Sequence, residues 1–217
     1  MTAIDAVVFD LDGVLIDSEH VWDSVREELA RERGGRWHPG AQADMMGMSS
    51  VEWSRYMHDV IGVREPPEEI DAEVVRRMQA RYLVDLPLVD GAVAAVQRLA
   101  SSFPLGLASS SNRPLIDSVL GSAGIAELFR VTVSSEEVPR GKPAPDVFVE
   151  AARRLGVAPA SCAAIEDSAN GIRSAHTAGM RVIAIPNAHY PPPGEALALA
   201  NVVLAAITEL TVATVRG

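Results

Sequence analysis

The stretch Ala6-Val7-Val8-Phe9-Asp10-Leu11-Asp12-Gly13 sets four unbroken apolar residues directly against an acid. Continuous rather than alternating apolarity predicts a strand buried on both faces, as in a parallel sheet. Similar runs recur at Leu105–Ala108, Val131–Val133, Ala163–Ile165, Val182–Ile185 and Val202–Leu204. Helical patterns fill the intervals, over roughly 91–101, 114–121, 145–155, 169–178 and 194–200. Strand–helix alternation of this kind predicts an α/β fold with a doubly wound parallel sheet.

Residues 17–86 break the rhythm. They carry no strand pattern, only helical stretches around 19–33, 50–61 and 67–84, separated by Gly34-Gly35, Pro39-Gly40 and Pro66-Pro67. All three tryptophans (Trp22, Trp37, Trp53) and five of the seven methionines fall here, so the segment reads as a separate helical domain inserted after the first strand. Pro87 and Asp90-Gly91 mark the return to the sheet. The expected division is an α/β core of 1–16 and 87–217 with a helical domain of 17–86.

Of the 217 residues 48% are apolar, enough for a substantial core. The net charge of −10 repels a phosphate backbone and an anionic membrane surface, which argues against nucleic acid and membrane partners. An acidic chain can still bind a phosphorylated ligand through a metal or a well-placed lysine. The single cysteine, Cys162, precedes the apolar Ala163-Ala164-Ile165 and reads as buried filler. The N-terminus shows no signal-peptide pattern and no late stretch is long enough to span a bilayer, so a cytoplasmic protein is expected.

Four short elements could carry chemistry. In the first, Asp10 and Asp12 lie two apart; on an extended backbone they would share a face, so that one must be protonated or both must share a cation. That suits phosphoryl transfer, although a polar strand end with a turn at Gly13 is the plainer alternative. In the second, the strand at Leu107-Ala108 runs into Ser109-Ser110-Ser111-Asn112 and then Arg113-Pro114. A helix start of this type holds anions through backbone N–H groups and hydroxyls. Ser111 or Asn112 is expected to cap the helix, which leaves Ser109 without a structural role and assigns it to the ligand. In the third, Gly141-Lys142-Pro143 places a lysine on a stiffened loop, where it would offset carboxylates and meet a transferred phosphate. In the fourth, Glu166-Asp167 end an apolar strand, as metal ligands or as merely solvated acids, and Ser168 follows as a helix cap. Asp10, Ser109 and Asp167 all fall at carboxyl ends of expected parallel strands, the edge where open α/β sheets bind ligands.

These four elements, in this order and over nearly the whole chain, resemble the haloacid dehalogenase (HAD) superfamily. The helical insertion is similar to the cap of its phosphoglucomutase-like branch. Within that branch Leu15-Ile16-Asp17-Ser18-Glu19 with Trp22-Asp23 is similar to sugar-phosphate and 2-deoxyglucose-6-phosphatase types. The resemblance implies a phosphatase acting on a small phosphorylated metabolite, with Asp10 as nucleophile and Asp12 as general acid and base. It implies that Ser109, Ser110 and Lys142 hold the phosphoryl group. It also implies Mg2+ on the Asp10 carboxylate, the Asp12 carbonyl and Asp167, aided by Glu166 directly or through water. At the start of the cap, Asp17, Ser18, Glu19 and His20 could line the closed site, although Asp17 or Ser18 could equally cap the first cap helix. His20 and Asn112 are the candidate substrate contacts. A β-phosphoglucomutase-like phosphomutase and a non-catalytic phospho-ligand binding module are the alternatives. Against the mutase, Met45-Met46-Gly47-Met48-Ser49-Ser50-Val51-Glu52 has Ser where the mutases place an Arg for a second phosphate, and Trp22 occupies their cap-helix His position. Arg55 or Arg64 could reach in from elsewhere in the cap.

Overall fold

In a computed structural model, which describes residues 3–46, 48–187 and 189–217, six parallel strands form one sheet. They are β1 (Ala6–Phe9), β2 (Leu105–Ser109), β3 (Phe129–Ser134), β4 (Cys162–Glu166), β5 (Arg181–Ala184) and β6 (Val202–Val203). Their spatial order is β3-β2-β1-β4-β5-β6. The order reverses between β1 and β4, which creates the crevice where such sheets take ligands.

The doubly buried strands explain the unbroken apolar runs. Val7 and Phe9 point into a core shared with α5 (Ala92–Ala100), α6 (Arg113–Ser122) and α10 (Val212–Arg216). Ala6 and Val8 point the other way, toward α7 (Asp146–Leu155) and α8 (Ala169–Thr177). β3 is an edge strand and longer than the apolar run predicts. Arg130 stands exposed within it, so the hydrophobic signal covered only its inner part. A short α9 (Gly194–Leu197) precedes β6.

Among the described residues, four α-helices lie between β1 and α5: α1 (Glu19–Glu32), α2 (Ala41–Met45), α3 (Ser50–Tyr56) and α4 (Pro67–Val84). α3 starts on a Ser49–Glu52 capping box and widens into a π-helical turn over Met57–Ile61. α2 lies where the sequence offered only the Pro39-Gly40 break. α4 packs on α1 and α3 and also on α6 of the sheet layer. Trp22, Trp53, Met57 and Met78 are buried in the apolar cluster these helices share with the sheet. The chain enters and leaves the insertion side by side: the Asp17 N–H donates to the Pro87 carbonyl (2.7 Å), and the Val89 N–H to the Leu15 carbonyl (3.0 Å). No helix among the described residues is long and apolar enough to cross a membrane.

Candidate active site

β1 and β4 end together. Phe9 is in register with Ile165, and the Asp10 N–H donates to the Ile165 carbonyl (3.0 Å). The residues that follow are acids, so parallel pairing alone sets Asp10 beside Glu166 and Asp167. Carboxylate oxygens of these three buried residues lie within 4.8 Å of one another. Lys142, from the loop before α7, donates from Nζ to Asp10 Oδ1 (2.7 Å) and Glu166 Oε1 (2.5 Å). It is only 5% exposed and its ammonium lies over the Phe148 ring, so this lysine is held in place.

Burial pushes the Asp10 carboxyl up to about 8; Lys142 opposes that shift, and Glu166 and Asp12 reinforce it. Burial, then repulsion from Glu166 and Asp10, holds Asp167 well above the ordinary carboxylate range. Burial works against the Lys142 charge too, but its two carboxylate partners outweigh burial and raise its pKa. Three carboxylates facing one ammonium leave an excess of negative charge that a divalent cation complements. Glu166 is committed to the protein on both oxygens. Oε1 takes Lys142, while Oε2 accepts the Asp167 N–H (3.0 Å), the Ser168 N–H (3.2 Å) and the Ser168 hydroxyl (3.1 Å). Two glycines make room for this cluster. Gly13 has φ +79°, and a Cβ there would collide with the Asp167 carboxyl; a Cβ on Gly171 would collide with the Glu166 carboxyl. The donor set and the space left around it fit a small hard cation.

Asp12 stands apart from that cluster. Its Oδ1 accepts from the Ser18 hydroxyl (2.5 Å) and the Trp22 indole N–H (3.1 Å), and its Oδ2 from the Ser111 hydroxyl (2.6 Å). The two side chains therefore do not share a face here. β1 stops at Phe9, so the two-residue alternation does not extend to Asp12, and neutral donors satisfy its carboxylate instead. Ser18 begins α1 without capping it through its side chain, because its hydroxyl is used on Asp12.

The β2 end also departs from expectation. Ser109 is fully buried and does have a structural role, since its Oγ accepts the Ser111 N–H (3.0 Å). Ser110 and Ser111 reach the cavity, and the Ser110 Oγ is buried without a hydrogen-bond partner among the described residues. Asn112 stands at the N-cap position of α6, yet neither its side chain nor that of Ser111 caps the helix. Glu136 does so, accepting the Arg113 N–H on Oε2 (2.9 Å). Asn112 is not a cavity residue. Its Nδ2 donates to Asp71 on α4 (3.1 Å) and to Glu136 (2.8 Å), which makes it a clasp between insertion and sheet layer. His20 is exposed and also misses the cavity. On α1 the cavity-facing residues are Glu19, Trp22 and Arg26, three and four apart, and His20 is rotated off that face.

The cavity, partly open to solvent, offers about 60 Å³, room for a few waters. Asp10, Asp12, Lys142 and Asp167 form its floor; Met45, Met46, Met48 and Trp53 join the α1 face as its roof, and Gly47 of the same loop lies outside the described residues. Burial pushes Glu19 up to about 7, with Asp12 adding to the shift and Arg26 opposing it. Arg26 was not among the candidates that the sequence suggested; Arg55 and Arg64, the cap cations considered, are exposed and absent from the cavity wall. The signal was present, since Arg26 continues the apolar stripe Trp22, Val25, Leu29 and so had to face inward.

Residues 4–179 match the family described as haloacid dehalogenase-like hydrolase. Hexitol phosphatase B of Escherichia coli O157:H7 is 32% identical over 98% of this chain and 96% of its own length. Validoxylamine A 7'-phosphate phosphatase of Streptomyces hygroscopicus subsp. limoneus is 32% identical over 94% of both chains. A crystal structure of a CbbY variant from Rhodobacter sphaeroides in complex with xylulose-(1,5)bisphosphate superposes with TM-score 0.87 at 24% identity, covering 99% of this chain and 100% of the other, which shows the shared fold. The strand order, the inserted helices and the matches over most of its length agree: the chain belongs to the haloacid dehalogenase-like hydrolases.

Proposed function

We propose that this hydrolase is a magnesium-dependent phosphatase that cleaves a monophosphorylated sugar or polyol through an aspartyl-phosphate on Asp10. The observation that carries the reading is the clamp of Lys142 on Asp10 and Glu166 beside Asp167, with Asp12 across the same cavity. Asp10 attacks phosphorus, and the bond from phosphorus to the ester oxygen breaks. Asp12 supplies the proton that this oxygen needs to leave as an alcohol. Asp12, now ionised, takes a proton from water as that water attacks the phosphoryl group, and the bond from phosphorus to Asp10 breaks. Lys142 offsets charge on the phosphoryl oxygens, and the unpartnered Ser110 hydroxyl is a donor available to them. Ser109 contributes by fixing the Ser110–Ser111 turn. Asp10, Asp167 and the Asp12 carbonyl would hold the cation, with Glu166 supporting the site through Lys142. When bound, the cation keeps Asp10 ionised and draws charge from the phosphoryl group.

In this reading residues 17–86 act as a cap on the core of 1–16 and 87–217. A cavity of about 60 Å³ is tight for a hexose phosphate, so in this reading the cap opens to admit it, with the paired segments at Asp17 and Pro87 as the hinge. That motion breaks the Asn112–Asp71 clasp and the hydrogen bond from Gln79 to the Pro114 carbonyl.

The raised Asp10 predicts how stability responds to pH without metal. Its ordinary pKa is 3.8 and its folded one about 8. A raised carboxyl contributes stability that is fully present below the ordinary value and lost as pH rises through the folded one. The Tm in chelator is therefore expected to fall between pH 5 and pH 9, and magnesium to restore it most strongly at the alkaline end. Calcium should substitute poorly in activity, because it favours larger, looser coordination. A Tm indifferent to magnesium at every pH would remove the cation from the mechanism.

Transfer is separated from hydrolysis by offering β-glucose 1-phosphate with catalytic glucose 1,6-bisphosphate, beside a panel of sugar and polyol monophosphates. Phosphate release from the panel is expected. Rapid conversion to glucose 6-phosphate with negligible free phosphate would replace the phosphatase with a phosphomutase.

A further inference from the structure

Arg26 is a buried cation that the proposed chemistry does not use. It is 4% exposed and makes no ion pair among the described residues; burial weakens its charge, and Glu19, Asp12, Asp23 and Asp71 support it only from a distance. Its guanidinium carbon lies 4.4 Å from the Trp22 ring centroid and 4.6 Å from that of Trp53. Among the described residues its one hydrogen bond is long, from an Nη to Gln42 Oε1 (3.3 Å), and its Nε is buried with no partner. Burying a guanidinium with so few partners opposes folding, and the two aromatic faces offset only part of that. Such a group is explained by a ligand that completes its hydrogen bonds.

The surroundings decide which ligand. Gln42 spaces Arg26 from Glu19: its Nε2 donates to Glu19 Oε2 (2.7 Å) while its Oε1 accepts from Arg26. A donor, Arg26, and an acceptor, Glu19, therefore face one cavity, bridged by an amide. A second phosphate placed against Arg26 would also meet Glu19 and Asp12. Hydroxyls suit both residues, because each hydroxyl accepts through its oxygen and donates its proton.

We propose that Arg26 and Glu19 form the specificity pair of the cap and bind neighbouring hydroxyls on the carbon chain of the substrate. The proposal rests on the phosphatase reading and deepens it. The cap cation is thus Arg26 on α1, balanced by an acid, in place of Arg55 or Arg64.

The test begins with the unaltered protein and magnesium, comparing kcat/KM for a hexitol 6-phosphate, n-hexyl phosphate and a hexitol 1,6-bisphosphate, with p-nitrophenyl phosphate reporting the chemistry alone. A site built to hydrogen-bond hydroxyls discriminates strongly against analogues that lack them, so the hexitol monophosphate should exceed hexyl phosphate by about 100-fold or more. It should also exceed the bisphosphate. Arg26→Gln and Glu19→Gln should each cut the ratio of hexitol phosphate to p-nitrophenyl phosphate by about 10-fold or more, mainly through KM. Equal use of hexitol and hexyl phosphates, or preference for the bisphosphate, would overturn the pairing with hydroxyls while leaving the phosphatase intact. Failure to hydrolyse any ester would overturn both.

Discussion

Asp10→Asn is expected to lower turnover by about 10⁴-fold or more while leaving the protein folded. The amide has nearly the same shape as the carboxylate, and its oxygen can still accept the Lys142 hydrogen bond made by Oδ1 at 2.7 Å. What it lacks is a nucleophilic oxygen able to bond to phosphorus. Stability should not suffer, because one of three mutually repelling buried carboxylates is gone. In metal-free buffer the Tm should equal or exceed that of the unaltered protein. Normal turnover in a folded variant whose mass confirms Asn at position 10 would end the case for this nucleophile.

Lys142→Met should damage stability and catalysis together. The ammonium is the common partner of Asp10 and Glu166, both buried. Removing one member of a buried charge set and leaving the others costs about 3–5 kcal/mol. For a chain of this size each kcal/mol moves Tm by about 2–4 °C, so a fall of roughly 10 °C is expected without metal. Magnesium should recover part of that fall, because it also offsets the orphaned carboxylates. Turnover should still drop at least about 10²-fold in saturating magnesium, since a fixed positive charge on the phosphoryl oxygens is lost. A Tm within experimental error of the unaltered protein would mean that the clamp carries no weight.

The sheet was legible because buried parallel strands leave unbroken apolar runs, and the site's floor because its acids directly follow those runs. Asp10, Glu166 and Asp167 needed only the rule that parallel strands in register end together. Lys142 needed only its stiff loop. What the sequence hid depended on contacts between distant elements. The Asn112 side chain looked free for a ligand until α4 brought Asp71 against it, 41 residues away in the chain. Ser109 looked idle because a hydrogen bond between residues two apart depends on a turn whose shape no pattern announces. Glu136 capped α6 from beyond β3, so the local candidates Ser111 and Asn112 were released to other partners. His20 and Glu19 differ by one helical step, and which of them faces the cavity is set by how α1 docks. The burial of Arg26, by contrast, is legible in the sequence from its place in the apolar stripe of α1.

The covalent step is the core of the proposed chemistry, and it can be trapped. With p-nitrophenyl phosphate the leaving group needs no proton, so Asp12→Asn should still let Asp10 attack but should slow the hydrolysis that follows. Acid-quenching that variant during turnover with magnesium, then measuring the mass of the peptide that contains Asp10, is the direct measurement. The expected result is a phosphoryl group on that peptide, absent when Asp10 is also replaced by Asn and absent in chelator. Rapid release of p-nitrophenol with the peptide unmodified at every quench time would contradict an aspartyl-phosphate and point to direct attack by water.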